Sequence, residues 1–151
     1  MEPSTAEINI FFHTEPPLAF ELVPTKEHNY RQWLSDVITT EGYELLELNY
    51  IFCSDEHLHE MNMQYLQHDT LTDVITFDNS DEECHIEGDI FISVPRIEEN
   101  AEKFGVRFLE ELKRVMVHGL LHLIGYGDKT ESEQSVMREK EDYYLKEGVD
   151  K

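Results

Sequence analysis

The sequence is short of cysteine, of basic residues and of long apolar runs, and each shortage removes a class of protein. Cys53 and Cys84 are the only cysteines among 151 residues, and neither sits in a paired metal-binding motif. The N-terminus, Met1-Glu2-Pro3-Ser4, has neither the basic start nor the apolar core of a secretion signal, so the two cysteines are expected to be free thiols in a cytoplasmic protein. No apolar run approaches the roughly 18–20 residues needed to span a bilayer, so no membrane association is expected. Repeats and low-complexity linkers are also missing, and one domain over 1–151 is expected.

Positive charge is the largest deficit. Twelve Lys and Arg face 33 Asp and Glu, for a formal charge of −21. Phosphate contacts dominate nucleic-acid affinity, and this balance argues against tight, unaided binding of RNA or DNA. A nucleic-acid substrate presented by another macromolecule stays compatible with it. The plain reading of the acidity is solubility.

Hydrophobic residues make up 40% of the chain, enough for a packed core. Ile8 to Phe12 reads as a strand ended by Pro16-Pro17, and Lys26 to Thr40 as a helix with Tyr30, Trp33, Leu34, Val37 and Ile38 at helical spacing. Tyr43 to Phe52 alternates as a strand, and Ser54-Asp55 caps a short helix through about Tyr65. Thr72 to Phe77 and Ile86 to Val94 read as strands around a polar turn, Asp78 to Glu83. Pro95 suits the first turn of a helix through about Phe104. The segment Phe108 to Ile124 is apolar nearly all round, the mark of a helix at the centre of a domain. A last amphipathic helix spans about Glu131 to Lys146. The order predicts an α+β fold with an α/β-like character: a small mixed four-stranded sheet packed by about five helices.

The C-terminal end of the central helix carries the chemistry. In His118-Gly-Leu-Leu-His122-Leu-Ile-Gly-Tyr-Gly-Asp128 the two histidines are four apart and share one helix face. Gly125 can stop the helix, and Asp128 lies just past the turn. Two imidazoles and a carboxylate are the donor set of a zinc site that keeps a fourth position open. The competing interpretation is a pair of structural histidines and a turn aspartate. Zinc suits two nitrogens and one oxygen, and manganese, iron or nickel remain possible. In zinc proteases of the His-Glu-x-x-His type the residue after the first histidine is the general base. Here it is Gly119, so that mechanism lacks its base, and another segment can approach the helix closely. Activation of water and polarisation of a carbonyl or phosphoryl oxygen by the metal remain. No catalytic residue beyond the three ligands is identified.

This stretch resembles the signature of the YbeY family of metallo-endoribonucleases, His-Gly-x-Leu-His-Leu-x-Gly-Tyr-Asp-His. Met61-Asn62-x-x-Tyr65 and Thr72-Asp73-Val74-Ile75-Thr76-Phe77 resemble the family's Leu-Asn-x-x-Tyr-Arg and Thr-Asp-Val-Leu-Ser-Phe segments. Gly88-Asp89-Ile90 is similar to its Gly-Asp-Ile strand, and Met137 and Glu141 fall where its last helix carries Met and Glu. The resemblance covers about Met61 to Leu145. It implies one zinc-type ion held by His118, His122 and the residue at 128, with hydrolysis of single-stranded RNA. It further implies a role in maturing the 3′ end of small-subunit ribosomal RNA and in ribosome quality control, with the small subunit as partner.

Two positions depart from the family pattern. The third family ligand is histidine, and here it is Asp128, preceded by Gly127 where the family has aspartate. A carboxylate is a competent zinc ligand, but its negative charge makes the metal a weaker Lewis acid. The family's arginine after tyrosine, thought to contact phosphate, is Leu66, and His68, Lys129 and Arg96 are the residues the sequence offers instead, each with an ordinary reading as surface. Asp73 and Asp89 are read as strand residues that tie backbone, with a role in orienting a ligand histidine as the sharper alternative. Glu111 shares the stripe of His118 and is read as a solvated surface acid, and His57 and His59 as a helix surface. Beside the ribonuclease stand two other functions: a non-catalytic ribosome-assembly factor stabilised by a metal, and a metal-dependent hydrolase of another substrate.

Overall fold

The computed structural model describes residues 8–22, 24–66 and 72–147. The elements are β1 (Ile10–Thr14), α1 (Pro24–Thr40), β2 (Glu44–Cys53), α2 (Asp55–Leu66), β3 (Val74–Asp78), β4 (His85–Ser93), α3 (Val94–Phe104), α4 (Phe108–Ile124) and α5 (Glu131–Glu147). The strands form one sheet in the order β1-β2-β4-β3. β1, β2 and β4 run parallel, and β3 is antiparallel to β4, so the sheet is mixed, as the α+β reading requires.

The β2 and β4 strands are central, and their buried residues Tyr50, Phe52, Ile90 and Ile92 form the floor of the main core. α4 lies across this floor with apolar residues on every side. Each fully buried Leu or Val on it contributes about 1.5–3 kcal/mol. Two contacts fix how closely it approaches. The buried Tyr50 hydroxyl donates to the Met116 carbonyl at 2.8 Å. A Cβ at Gly119 would stand 3.0 Å from Ile90 Cγ2 and 3.4 Å from Thr76 Cγ2. Gly119 thus lets β3 and β4 press against the helix between its two histidines. Trp33 of α1 donates its indole N–H to the Tyr144 carbonyl of α5 at 2.9 Å, closing the helices over the core.

Element ends follow local chemistry. Ser54 accepts a hydrogen bond from the His57 amide at 3.1 Å and caps α2, and Ser93 caps α3 by accepting from the Arg96 amide. The first strand runs two residues later than the apolar run predicts, because Ile10 to Thr14 are the residues that pair in register with Leu48 to Phe52. The third strand begins at Val74, so Asp73 precedes it. Its carbonyl accepts from the Ser93 amide and its side chain turns away from the ladder. Cys53 is buried and Cys84 exposed, and both are free thiols. No helix among the described residues is long and apolar enough to cross a membrane.

Candidate metal centre

At its C-terminal end α4 stops because Gly125 adopts φ of +123°, a conformation open to glycine, and donates its N–H to the carbonyls of Leu121 and His122. The chain then doubles back. The Tyr126 carbonyl comes within 2.9 Å of His122 Nδ1, and Asp128 arrives beside both histidines. His122 Nε2 lies 3.1 Å from His118 Nε2 and 3.2 Å from Asp128 Oδ2, and His118 Nε2 lies 3.5 Å from the same oxygen.

Hydrogen placement makes this convergence informative. A carbonyl only accepts, so His122 carries its proton on Nδ1 and turns a bare Nε2 toward the centre. His118 likewise donates Nδ1–H to Glu141 Oε2 at 2.6 Å. Two lone pairs and a carboxylate oxygen therefore face one another. Such a group repels itself unless a cation sits among it, either a proton or a metal ion. Bonds of 2.0–2.1 Å to a tetrahedral zinc separate the ligands by roughly 3.3 Å, which the three observed distances match. The donor set fits a zinc-type ion. The side chains of His118, His122 and Asp128 keep 23%, 26% and 40% of their surface exposed, so the group opens to solvent.

Tertiary partners hold each ligand. Glu141 of α5 is buried and bridges His118 to Arg114 Nη1, 2.8 Å away. Burial opposes its charge, but the hydrogen bonds and charges of His118 and Arg114 prevail and hold its carboxyl below the usual range. Burial likewise opposes charge on His118, and the Glu141 hydrogen bond with the nearby carboxylates outweighs it, raising the imidazole pKa. The His122 side is braced from farther off. The Tyr126 hydroxyl donates to Glu41 Oε1 at 2.7 Å, while Lys140 at 3.0 Å and the Tyr144 hydroxyl bond Glu41 Oε2. Asp128 is anchored through its carbonyl, which accepts from Gln134 Nε2 at 3.0 Å. A side chain at Gly127 would meet the Glu133 carboxylate at 2.8–2.9 Å, and that carboxylate is already occupied by the amides of Lys129 and Thr130.

Other predicted residues fall elsewhere. Arg96 is bound to Asp55 at 2.7 Å and to Glu99 at 2.7 Å, away from the triad. Lys129 is exposed on the loop after Asp128, while His68 and the side chain of Leu66 lie outside the described residues. Asp89 bonds Asn49 and Asn79, a structural role. Glu111 corrects the sequence reading: it is only 6% exposed, on the wall of a cleft that α4 forms with α5 and the segment before β3. Asp73 is drawn to the same place and lines a cleft with Glu111, His118, Asp128, Arg138 and Glu141. Arg138 was not singled out from sequence, since on a charged amphipathic helix nothing marks one cation from the next. His57 sits on α2 with a partly exposed side chain, as the helix-surface reading expects, and its Nδ1 lies 2.5 Å from Glu15 Oε1, in a second group with Cys53.

The chain is similar to known proteins in sequence and fold. Residues 20–148 match the family described as Endoribonuclease YbeY. An "Endoribonuclease YbeY" of Flavobacterium psychrophilum is 55% identical over 122 residues, covering 80% of this chain and 86% of that one. Another of Christiangramia forsetii is 46% identical over 136 residues and 90% of each chain. The solution structure of a Thermotoga maritima protein is 30% identical, superposes with a TM-score of 0.64, and covers 92% of this chain and 88% of its own. The chain belongs to the Endoribonuclease YbeY family.

Proposed function

We propose that this chain is a zinc-dependent endoribonuclease, one hydrolase domain that cuts single-stranded RNA. Its place is the cytoplasm, in maturation of the 3′ end of small-subunit ribosomal RNA and in ribosome quality control. Relatives named as endoribonucleases over most of its length support the reaction class. The observation that carries the reading is the convergence of His118 Nε2, His122 Nε2 and Asp128 Oδ2 at metal-ligand spacing in a group open to solvent. A purely structural zinc site is usually closed by four protein ligands, and this openness favours catalysis over a non-catalytic assembly factor.

When bound, the ion supplies Lewis-acid polarisation of a phosphoryl oxygen and acidifies water. The residues supply position. Glu141 and the Tyr126 carbonyl hold each imidazole in the tautomer that leaves Nε2 free. Asp128 brings the third donor and a negative charge. Arg114 is fully engaged by Glu141 and Asp142, whereas Arg138, largely exposed and 3.8 Å from Glu141, is the cation that a phosphate entering the cleft meets. The −21 charge makes unaided RNA binding weak, so the ribosome presents the strand.

The deciding experiment incubates single-stranded RNA, DNA and peptide with protein stripped of metal and reloaded with zinc or manganese, wild type beside His122→Ala. RNA is expected to be cut by the loaded wild type alone. Metal-loaded wild type that leaves RNA intact, yet joins small ribosomal subunits and unfolds on chelation, would establish the assembly-factor reading instead.

A further inference from the structure

The cleft beside the triad has a volume of about 560 Å³, and its lining divides by chemistry. Carboxylates supply most of the polar part and repel phosphate. Its cations are Arg114, engaged by Glu141 and Asp142, and the largely exposed Arg138. The apolar part is Val74, Phe104, Val106 and Val115. A strand whose phosphate meets the triad and Arg138 has one uncharged group left to place against the rest of this lining, and that group is a base.

Phe104 is the large apolar side chain exposed there. It keeps 59% of its surface open, while Val115 is buried. It packs against neither cluster of the core. Tyr65 and Tyr143 are similarly exposed, but they lean edge-on against Phe77 and Tyr144, and Phe11 belongs to the edge strand β1. None of these three lines the cleft.

The end of α3 shows that the fold does not need this ring. Val94, Ile97 and Ala101 are buried along one stripe of α3, and position 104 continues the stripe past the core. There the helix closes through backbone alone. The Val106 N–H donates to the Ala101 carbonyl at 3.0 Å and the Gly105 N–H to the Glu102 carbonyl at 3.2 Å, with Gly105 at φ of +70°. This cap fixes the backbone at 104 and is indifferent to the side chain on it. A largely bare aromatic ring on a capped helix end suits a nucleobase, because every base has a π-face to stack.

We propose that Phe104 is a stacking platform for an unpaired nucleobase next to the scissile phosphate. This rests on the ribonuclease reading of the neighbouring triad. A base inside a duplex has both faces covered by its neighbours, so the platform takes single-stranded RNA and is tolerant of which base it holds.

The test uses the full chain loaded with zinc and a short labelled single-stranded RNA in which an abasic ribose replaces each nucleotide in turn. Cleavage rate and binding, by fluorescence anisotropy, are both read. For wild type, the abasic ribose at one position is expected to lower both about tenfold relative to the intact strand. Phe104→Ala should lower the intact strand to that level and leave the strand abasic at that position unchanged. Phe104→Trp should keep the advantage, and its added indole fluorescence should be quenched by the intact strand but not by that abasic one. Equal treatment of intact and abasic strands by wild type overturns the platform. So does a base advantage that survives Phe104→Ala, or a variant that weakens intact and abasic strands alike. If RNA is cut with no dependence on any base, the platform alone fails. If no strand is cut, but the intact strand binds tighter and Phe104→Ala abolishes this, the ribonuclease reading fails and the platform stands.

Discussion

Among the described residues two places gather three side chains of metal-binding type, and they are built differently. At the end of α4, His118, His122 and Asp128 face one another across 3.1–3.5 Å, and a separate partner holds each imidazole proton away from the centre. At the other place Glu15, Cys53 and His57 meet near the C-terminal ends of β1 and β2 and the start of α2. There His57 Nδ1 and Glu15 Oε1 stand 2.5 Å apart, a hydrogen-bonded pair too close to flank a metal. Burial, helped by the charges of Glu15 and Asp55, pushes the Cys53 thiol up to about 12, so it stays protonated at neutral pH and donates toward the Ile92 carbonyl at 3.6 Å. Residue type and proximity are common to both. The difference is whether the lone pairs point inward with their own hydrogens occupied elsewhere.

The sharpest break in this comparison is substitution. His122→Ala is expected to abolish binding of a divalent ion, from about one per chain to none by elemental analysis after dialysis. Cys53→Ser should leave that stoichiometry unchanged. Metal lost with Cys53→Ser and kept with His122→Ala would reverse the roles of the two groups.

A smaller effect tests the support beneath the first group. Glu141→Gln keeps the shape but weakens the hold on His118 Nδ1–H and on Arg114. Metal affinity, followed by competition with a fluorescent chelator, should fall about 10–100-fold. The corresponding change at the second group, His57→Gln, should not alter it. Equal affinities for wild type and Glu141→Gln would show that α4 alone holds its histidine in place.

The smallest effect is expected from Glu41, which reaches the metal group only through Tyr126. Burial opposes its charge, but bonds from Tyr144, Tyr126 and Lys140 dominate and lower its pKa. A depressed carboxylate stabilises the fold fully above its ordinary value near 4.5, and this contribution disappears as pH falls through the lower folded value. Glu41→Gln should therefore cost about 1–3 kcal/mol in urea unfolding at pH 7. The gap to wild type should close below about pH 4.5. A gap independent of pH would mean that shape, not charge, holds this network.

Much of the fold could be read along the chain because its signals are local. Apolar residues on every face of Phe108 to Ile124 require burial, and α4 has those bounds. Ser54, Ser93 and Gly125 end or begin elements through bonds within a few residues of themselves. His118 and His122 share a face by helical period alone. Glu111 was misread for the same reason: helical period gives its stripe but not what covers that stripe, and α5 arrives from about 25 residues away. Arg138 and Glu41 left no mark, since one more charge on a polar helix, or at the end of one, is silent until its partner is known.

The sequence by itself determined the elements, their order and the spacing of the ligands, because periodicity, capping and turn chemistry act over a few residues. Only the tertiary structure decided that Glu141 and the Tyr126 carbonyl aim the two Nε2 atoms inward, that Glu41 braces one of them, and that Glu111 lines a cleft beside the triad. Those outcomes depend on hydrogen bonds and burial between α1, α4 and α5, elements that meet only once the core has packed them against the sheet.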